Sequence, residues 1–479
     1  MNDLTRRRFF EDSVMAASAA VLPVSLLAEE SKSVSPSEKL TVAIIGCGIR
    51  GKAHARSLAR LPDCDIAYVC DPDLDRADEV GALLTGDLKR PMPKKVQDLR
   101  VILDDKSVDA VFIATPNHWH ALAAIWAMQA GKDAYVEKPV SQNVDEGRRI
   151  VQTARKLGRI CQTGTQNRSR GALASAVQYM HEGNLGEVKL ARSIIYGGRG
   201  SIGGPVECET PPRCDYNLWA GPAPLTKLTR PRFHYDWHWM WDTGNGDIGN
   251  SNVHSIDICR WGLGVTGPGR SVMSYGGRLG YTDVAETPNS QVAIFDFGDK
   301  TIVSETRGLK SAPFHPKIKA SWFFYGTEGI IAETGLYDPD GELVQAFEGQ
   351  SVNHFANFLD AVRSRKQEDL KAEILEGHQS SSLCHLANIS YRLGHKSPIK
   401  EVQKQLGNIE VNEDVQETLD RTRHYLVEAG VDLEKTPMTL GQHLRLDGDK
   451  EQFLDNAPAD ALLTREYRSP FVVPQESEI

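Results

Sequence analysis

The feature that most constrains the fold is a glycine-rich turn between a predicted strand and a predicted helix. Residues 40–46 (LTVAIIG) form an apolar, β-branched run, typical of a strand buried on both faces of a parallel sheet. Gly46, Gly48 and Gly51 follow with GxGxxG spacing and lead into a helical pattern. The first glycine permits the tight turn, the second lets the backbone approach a pyrophosphate, and the third allows close helix–strand packing. The turn therefore predicts a dinucleotide-binding Rossmann unit, with the phosphates at the helix N-terminus.

An acidic residue after the next predicted strand indicates which dinucleotide is bound. The run CDIAYVCD (64–71) ends in Asp71, at the distance from Gly51 that this fold uses for ribose recognition. A carboxylate there accepts hydrogen bonds from the ribose hydroxyls and repels a 2′-phosphate, which favours NAD. Arg50 keeps NADP open as the alternative, because a loop arginine can pair with that phosphate.

Further strand–helix units predict a doubly wound parallel sheet. Buried-strand runs at 108–115, 133–139 and 159–166 alternate with helical segments. Ligands bind such sheets at the carboxyl ends of the strands. The predicted cofactor-binding residues are Gly46, Gly48, Ile49, Arg50, Gly51, Asp71, Thr115, Asn117, His120, Glu137, Lys138 and Gln166.

The second half of the chain has a different pattern. Residues 291–298 and 300–308 alternate apolar and polar side chains around Gly298-Asp299, which predicts an antiparallel hairpin. Between the halves, residues 234–261 contain four of the eight tryptophans. Aromatic faces stack on sugar C–H surfaces, so this cluster is typical of a carbohydrate pocket, and packing between domains is the alternative.

Several motifs together resemble one known family. The segments TVAIIGCGIRG, FIATPNHWH, VEKPVS and GDIGNSNVHSIDICRW are similar to those of the Gfo/Idh/MocA oxidoreductases, the glucose–fructose oxidoreductase and inositol dehydrogenase family, over about residues 38–400. The resemblance implies an α/β fold with an N-terminal Rossmann domain and a C-terminal α/β domain. In the family, that second domain carries a large open, mainly antiparallel sheet that often forms oligomer contacts, so a homo-oligomer is expected. The resemblance also implies NAD(P)-dependent hydride transfer at CH–OH groups.

The resemblance also points to the catalytic residues. In the family a D-x-G-x-H segment supplies an acid/base pair beside the nicotinamide; His254 has the His position, but Asn250 stands where the family has Asp. An amide cannot accept a proton at neutral pH, so the acid/base role is expected to fall on His254 and Lys138. The predicted catalytic residues are thus Lys138 and His254. The predicted substrate-binding residues are Trp237, His238, Asn250, His254 and Asp257.

A histidine pair raises the question of a metal. His118 and His120 form an HxH sequence, which is also a metal motif of amidohydrolases. Those enzymes place it in a TIM barrel, whereas this chain opens as a Rossmann fold. We therefore expect no metal, and His120 is expected to pack near the cofactor.

The 479 residues divide into several predicted regions. These are a signal peptide (1–30), a linker (31–39), the Rossmann domain (40–166), a substrate and oligomerisation domain (167–400) and a C-terminal helical extension (401–479). Residues 5–10 (TRRRFF) resemble the twin-arginine (Tat) motif, whose pathway carries folded proteins, and an apolar stretch follows. The sequence therefore predicts a periplasmic protein.

Composition excludes other classes of function. The chain is 40% hydrophobic and 25% charged, the proportions of a soluble globular protein. A net charge of −9 disfavours nucleic-acid binding. After the signal peptide, no run reaches the roughly 18 apolar residues of a membrane span, so no stable membrane insertion is expected.

Export and a dinucleotide together constrain the reaction. The periplasm is not expected to hold free NAD, so the cofactor would be carried out tightly bound and reoxidised on the same protein. We therefore predict a redox-neutral oxidoreductase for a sugar or polyol. Two alternatives stay open: NAD-dependent glycoside hydrolysis by oxidation, elimination and re-reduction, and a non-catalytic sugar- or nucleotide-sensing module.

Overall fold

The computed structural model describes residues 39–448 and 450–479. The predicted signal peptide and residues 31–38 of the predicted linker lie outside the described residues, so the export prediction stays a prediction. Leu40–Ile479 form one unit that contains two β-sheets. Every helix in the described residues is too short or too polar to cross a bilayer.

The N-terminal part folds into a parallel sheet flanked by helices. Its strands are β1 (Leu40–Ile45), β2 (Cys64–Cys70), β3 (Lys94–Val96), β4 (Ala110–Ile113), β5 (Asp133–Val136) and β6 (Cys161–Thr163). Its helices are α1 (Ile49–Leu58), α2 (Leu74–Thr85), α3 (Arg100–Asp104), α4 (Asn117–Gln129) and α5 (Val144–Leu157). The strand order β3-β2-β1-β4-β5-β6 confirms the predicted doubly wound sheet. The order reverses between β1 and β4, and ligands bind in the crevice at such a switch point.

The second sheet is larger and mainly antiparallel, as predicted. Its strands are β7 (Val188–Tyr196), β8 (Ser271–Gly277), β9 (Ser290–Asp296), β10 (Thr301–Arg307), β11 (Trp322–Gly326), β12 (Gly329–Ala332), β13 (Gly335–Tyr337), β14 (Leu343–Ala346), β15 (His395–Ser397), β16 (Met438–Leu440), β17 (Leu444–Asp447) and β18 (Gln452–Phe453). The order is β14-β13-β12-β11-β7-β10-β9-β8-β16-β15, and β17 joins β18 to β8. Only the β7–β10 pair is parallel among its described strand pairs. The predicted hairpin is β9–β10.

The helices after residue 166 include those that cover the two faces of this sheet. They are α6 (Gly171–His181), α7 (Tyr216–Ala220), α8 (Val253–Leu263), α9 (His354–Ser364), α10 (Ile374–Arg392), α11 (Ile399–Leu406), α12 (Val415–Glu428) and α13 (Ala457–Asp460). On the inner face, Ile256 of α8 and Leu383 of α10 belong to one buried apolar cluster with Phe324 and Phe295. This packing fixes α8, whose N-terminus lies beside the crevice of the first sheet.

The C-terminal extension differs from the prediction. Besides helices, residues 401–479 supply β16 and β17, which pair with β8. Helices α11 and α12 bury Leu406 and Leu419 against Val292 and Ile294, so they cover the outer face around β8–β10. Strands of three or four residues carry too little periodic pattern to be read from the sequence.

The chain also returns to the first sheet after residue 166. Phe358 and Leu359 of α9 pack with Ile44 and Phe112 in one buried cluster. Phe471, near the C-terminus, is 1% exposed and packs against tryptophans of α4. The Rossmann sheet is thus completed by elements far along the chain.

Candidate active site

The glycine turn combines two tightly packed positions with one open position. Gly46 has φ 93°, where glycine is favoured, and a Cβ there would lie 2.5 Å from the Ala114 backbone. A Cβ on Gly51 would lie 1.9 Å from the Gly46 carbonyl oxygen. Of the described residues, none places an atom within 4 Å of a Cβ built on Gly48. The fold therefore requires Gly46 and Gly51, while Gly48 leaves the backbone open to a ligand beside the exposed Ile49.

Asp71 directly follows β2 and lies against the glycine turn. The N–H groups of Cys47 and Asp73 donate to its carboxylate oxygens at 2.8 and 2.9 Å. Burial raises the pKa of Asp71 to about 6, while these two N–H groups act to lower it. The carboxylate is therefore charged at neutral pH, at the place where this fold receives the adenosine ribose.

Arg50 points away from Asp71. Its Nε donates to Glu137 Oε1 at 2.5 Å, and His54 Nε2 donates to the same oxygen at 2.9 Å. Burial alone would raise the pKa of Glu137, but Arg50, and then His54, lower it well below its ordinary value. Glu137 follows β5, on the other side of β1 from β2. The guanidinium therefore lies beside Glu137 at the end of β5. This position does not support the alternative in which Arg50 receives a 2′-phosphate near Asp71.

Two predicted residues at strand ends carry free polar atoms. Thr115 Oγ1, after β4, and Gln166 Oε1, after β6, are buried without a hydrogen-bond partner among the described residues. Buried polar atoms are normally paired, so such atoms point to a missing ligand or water. Both residues lie at carboxyl ends of parallel strands, which is the side of the crevice.

Asn117 and His120 have partners in the protein itself. Asn117 Nδ2 donates to Asn245 Oδ1 at 2.9 Å. The His120 ring nitrogens lie 2.6 and 2.8 Å from the carbonyl oxygens of Pro139 and Thr115. Both residues are buried; His120 joins the loops after β4 and β5, and Asn117 connects the start of α4 to Asn245. The structure does not support a direct cofactor contact for His120, because both ring nitrogens are engaged.

Lys138 connects the first sheet to the start of α8. Its Nζ donates to the carbonyl oxygen of Asn250 at 2.7 Å. Burial is the largest cause that lowers the pKa of Lys138 to about 8; Glu137 acts to raise this pKa, and Arg50 and Arg199 act to lower it. A substantial fraction of this amine is therefore neutral near physiological pH, as proton acceptance requires.

His254 begins α8 after an irregular turn. Residues Ile248–Asn252 form one π-helical turn, a local widening that is frequent at functional sites. Burial, and then the charge of Lys138, lowers the pKa of His254 to about 3. Its Nδ1 is buried and has no hydrogen-bond partner among the described residues. His254 is thus neutral at working pH. The sequence predicted that His254 and Lys138 share the acid/base role, and these pKa values favour Lys138 for it.

The two asparagines of this turn have different surroundings. Asn250 is half-buried beside the lysine that contacts its carbonyl group. Asn252 is fully buried, and its Nδ2 donates to Ser304 Oγ at 2.8 Å. The Asn252 side chain therefore attaches the turn to β10, whereas Asn250 contacts Lys138 through its backbone carbonyl group.

Trp237 and His238 form a stacked pair on the substrate side. Their ring centroids lie 3.7 Å apart at 20°. His238 Nδ1 donates to the Tyr235 carbonyl oxygen at 2.5 Å, and burial lowers the pKa of His238 to about 3. The ring is therefore neutral, with the lone pair on Nε2. Lys138 is among the charges that act on His238, so the pair lies close to the amine.

Arg199 was missed by sequence reasoning. Its Nε and Nη2 each lie 3.2 Å from Asp247 Oδ1, and Nη1 donates to the Tyr235 hydroxyl at 3.3 Å. The guanidinium also lies 5.5 Å from the Trp239 ring centroid. Its charge acts on Lys138. A single arginine within the glycine-rich run YGGRGSIGG was the only available signal.

Asp257 does not contact the crevice, so its predicted substrate role is not supported. Arg168 donates to its two oxygens at 2.8 and 2.9 Å, and Ser380 Oγ donates at 2.7 Å. Asp257 is 0% exposed. Asp257 follows His254 by three residues on α8, but α10 packs against the face of α8 that carries Asp257. The carboxylate holds α8 and α10 together.

The residues present fit a dinucleotide. Gly48 leaves room beside the N-terminus of α1, and Asp71 offers carboxylate acceptors. Thr115 Oγ1, Gln166 Oε1 and Glu137 Oε2 are buried without partners among the described residues. In the same residues, no three His, Cys, Asp or Glu converge to hold a metal ion. The described site therefore fits a nucleotide.

This fold and crevice define a two-domain protein with a Rossmann dinucleotide-binding domain. Two family models match the chain: "Oxidoreductase family, NAD-binding Rossmann fold" over residues 40–165 and "Oxidoreductase family, C-terminal alpha/beta domain" over residues 201–272. Both models are those of the Gfo/Idh/MocA oxidoreductases, so the chain is similar to that family over these two regions. This confirms the predicted resemblance and the prediction of an NAD-binding domain.

Individual relatives match mainly over the first domain. A glycosyl hydrolase family 109 protein of Shewanella pealeana is 35% identical over 127 residues, 26% of this chain and 28% of that protein. The scyllo-inositol 2-dehydrogenase (NAD(+)) of Bacillus subtilis is 32% identical over 146 residues, 30% of this chain and 41% of that protein. The match therefore spans less than half of either relative.

A solved structure shares the fold over most of its length. The WlbA dehydrogenase from Bordetella pertussis, in complex with NADH and UDP-GlcNAcA, superposes with a TM-score of 0.54 at 18% identity. The match covers 73% of this chain and 97% of that chain.

Proposed function

We propose that the protein is an NAD-dependent oxidoreductase that acts on a CH–OH group of a sugar or polyol. The proposal rests on the convergence of Lys138 with the start of α8, where its Nζ lies 2.7 Å from the Asn250 carbonyl oxygen. Glu137, the preceding residue, contacts Arg50 of the glycine turn, so the amine and the dinucleotide loop share one crevice. The match of residues 40–165 to the NAD-binding domain of an oxidoreductase family, and the similarity to a polyol dehydrogenase, support this reading.

Lys138 is the proton-transferring residue in this proposal. NAD, when bound, supplies the hydride acceptor for the carbinol carbon. Oxidation of that carbon also requires the hydroxyl proton to leave, and the neutral Lys138 amine accepts it. A pKa of about 8 keeps enough neutral amine near physiological pH. In the reverse direction the charged amine donates to the carbonyl oxygen and stabilises developing negative charge.

The neighbouring side chains orient the substrate. His254 is neutral, so its ring exchanges hydrogen bonds with a hydroxyl without changing charge. The amide of Asn250 also donates and accepts without titrating. His238 Nε2 offers a hydrogen-bond acceptor, and Trp237 holds the His238 ring in place by stacking on it. This combination suits a polyhydroxylated substrate.

The match to a glycosyl hydrolase family 109 protein favours a second candidate, NAD-dependent glycoside hydrolysis. That reaction starts with the same oxidation and then proceeds by elimination, water addition and re-reduction. Release of nitrophenol from nitrophenyl glycosides, with no net reduced cofactor, selects it over simple dehydrogenation. Binding of sugars without any turnover selects the sensing module instead.

We further propose that the protein is exported and runs a redox-neutral cycle. The TRRRFF motif supports transport of a folded protein. A cofactor carried out in this way has no pool to exchange with, so each oxidation is followed by a reduction on the same protein. Cell fractionation with wild-type and Arg6→Lys/Arg7→Lys chains tests the export; retention of both chains in the cytoplasm contradicts it.

The substitution Lys138→Ala tests the proposed function. We expect turnover across a sugar and polyol panel to fall at least about a hundredfold, as for loss of a general base, while NAD still binds. Lys300→Ala is the matched control, because Lys300 Nζ also donates to a carbonyl oxygen at 2.7 Å but lies in the β9–β10 turn. Wild-type turnover in Lys138→Ala contradicts the proposal.

A further inference from the structure

Residues 206–234, the covering segment, lie between β7 and β8 of the second sheet in sequence and pack against the Rossmann domain. The segment has a small core of its own, in which Trp219, Leu228 and Phe233 are buried. The Arg230 guanidinium lies 4.8 Å from the Trp219 ring centroid and is itself buried. The segment is therefore a folded element rather than a loose connection.

The segment joins its backbone to the connection between β2 and α2. Cys214 forms an antiparallel bridge with Asp73. The Leu74 N–H donates to the Arg213 carbonyl oxygen at 3.2 Å, and Gln97 Nε2 donates to the same oxygen at 3.0 Å. This connection begins directly after Asp71, the residue predicted to receive the adenosine ribose.

Side chains strengthen the same contact. Arg213 Nη1 lies 2.7 Å from carboxylate oxygens of both Asp75 and Asp78. His234 Nε2 donates to Asp73 Oδ2 at 2.8 Å. Asp73 is buried and lies two residues after Asp71, so His234 reaches the border of the ribose position.

Another part of the segment contacts the start of α4, which follows β4 on the other side of the crevice. Trp119 Nε1, near the start of α4, donates to the Leu218 carbonyl oxygen at 3.0 Å. A Cβ on Gly221 would lie 2.2 Å from the Trp119 ring, so the backbone approaches this ring closely. Arg468 donates to the Gly221 carbonyl oxygen at 2.9 Å. The segment thus bridges the ends of β2 and β4, which border the crevice on its two sides.

We propose that the covering segment closes the adenosine end of the dinucleotide site, so that NAD stays enclosed through many turnovers. This inference rests on the proposed NAD binding and adds the element that retains the cofactor. Arg213 and His234 are positioning residues in it, since they hold the segment on the β2–α2 connection. Exposed ion pairs are individually weak, so the two contacts must be removed together.

The rate of NAD release tests this inference. Wild-type protein and the Arg213→Ala/His234→Ala variant are loaded with NAD and desalted, and release is followed by trapping free NAD with an added dehydrogenase. We expect release to be about tenfold faster in the double variant, which corresponds to about 1.4 kcal/mol. The control is Lys95→Ala, because Lys95 Nζ also lies 2.5 Å from Asp78 but belongs to β3. It should release NAD at the wild-type rate.

Each outcome decides between the two proposals. Equal slow release from all three proteins, or wild-type release as fast as mixing, overturns the closure while leaving NAD binding intact. Absence of NAD binding in calorimetry overturns the proposed function and the closure together. Thermal unfolding of the unliganded chains shows whether the double variant is folded; if it is not, Arg213→Gln/His234→Phe replaces it, because this variant changes both contacts and keeps side-chain volume at both positions.

Discussion

At the scale of single residues, the site depends on how burial and neighbouring charges set protonation. Lys138 and His254 are both shifted downwards, to pKa values of about 8 and about 3. The consequences differ, because the lysine then titrates near working pH, whereas the histidine is neutral throughout the working range. Lys138 can then exchange a proton with the substrate, whereas His254 can only form hydrogen bonds with it.

Asp71→Asn tests how the dinucleotide is chosen. The amide is nearly isosteric but uncharged, so it gives weaker hydrogen bonds to ribose hydroxyls and no longer repels a 2′-phosphate. We expect NAD affinity to fall roughly tenfold, since hydrogen bonds to charged groups contribute about 1.5–3 kcal/mol, and NADP affinity to rise. Isothermal titration calorimetry with both cofactors measures this.

The pH dependence of NAD affinity provides a second test of the role of Asp71. Because the pKa of Asp71 is raised to about 6, protonation below that pH removes the charged acceptor. Wild-type NAD affinity should therefore weaken as pH falls through about 6, and the affinity of Asp71→Asn should not. Unchanged cofactor preference in the variant contradicts the assignment.

At the scale of elements, the glycine turn separates folding from binding within six residues. Gly51 allows α1 to approach the Gly46 carbonyl group, and Gly48 keeps space free for the ligand. The two glycines are needed for different reasons. A Cβ on Gly51 would collide with the protein backbone, whereas a Cβ on Gly48 would enter the space of the ligand.

Paired alanine substitutions test this division. Gly51→Ala should destabilise the fold by about 1–3 kcal/mol, the usual range for overpacking, seen as a lower urea midpoint. Gly48→Ala should unfold near the wild-type midpoint and yet bind NAD at least about tenfold more weakly, one lost hydrogen-bonded approach being worth about 1.4 kcal/mol. Equal effects of the two variants on stability would show that Gly48 is also a packing position.

At the scale of the whole molecule, the C-terminal extension closes a face that the family resemblance leaves open. Helices α11 and α12 bury apolar side chains on β8–β10, and Tyr425 lies 3.1 Å from Ser290 Oγ through its hydroxyl. The homo-oligomer stays a prediction, and this part of the sheet is closed to a second copy by the chain's own helices.

Two substitutions on α12 test whether this helix stabilises the part of the sheet on which it packs. Leu419 is 0% exposed and Val427 is 57% exposed on the same helix. Leu419→Ala should reduce the free energy of unfolding by about 2–5 kcal/mol and Val427→Ala by less than about 0.5 kcal/mol. Urea titration compares them. A negligible effect of Leu419→Ala would mean that the helices do not hold the sheet in solution.

The sequence was sufficient for features carried by local patterns. The GxGxxG turn, Asp71 after β2 and the strand ending at Lys138 each lie within a few residues of the pattern that predicts them. The structure brings these residues to one crevice because parallel strands end on one side of a sheet.

Features that depend on distant partners could not be predicted. Arg199 pairs with Asp247 across 48 positions, and Asp257 meets Arg168 across 89. Helical spacing suggested that Asp257 joins His254, but the packing of α10 decides its partner. Burial of His254, which lowers its pKa, likewise follows from packing that the motif does not encode.

The most direct test of the account is the pH dependence of a single oxidation on the NAD-loaded protein. With an accepted sugar or polyol in excess, the first-turnover rate should rise with pH, reach half of its maximum near the Lys138 pKa of about 8 and level off above it, because only the neutral amine accepts the proton. The residual rate of Lys138→Ala should lack this rise. The same pH profile in wild type and Lys138→Ala would contradict the account.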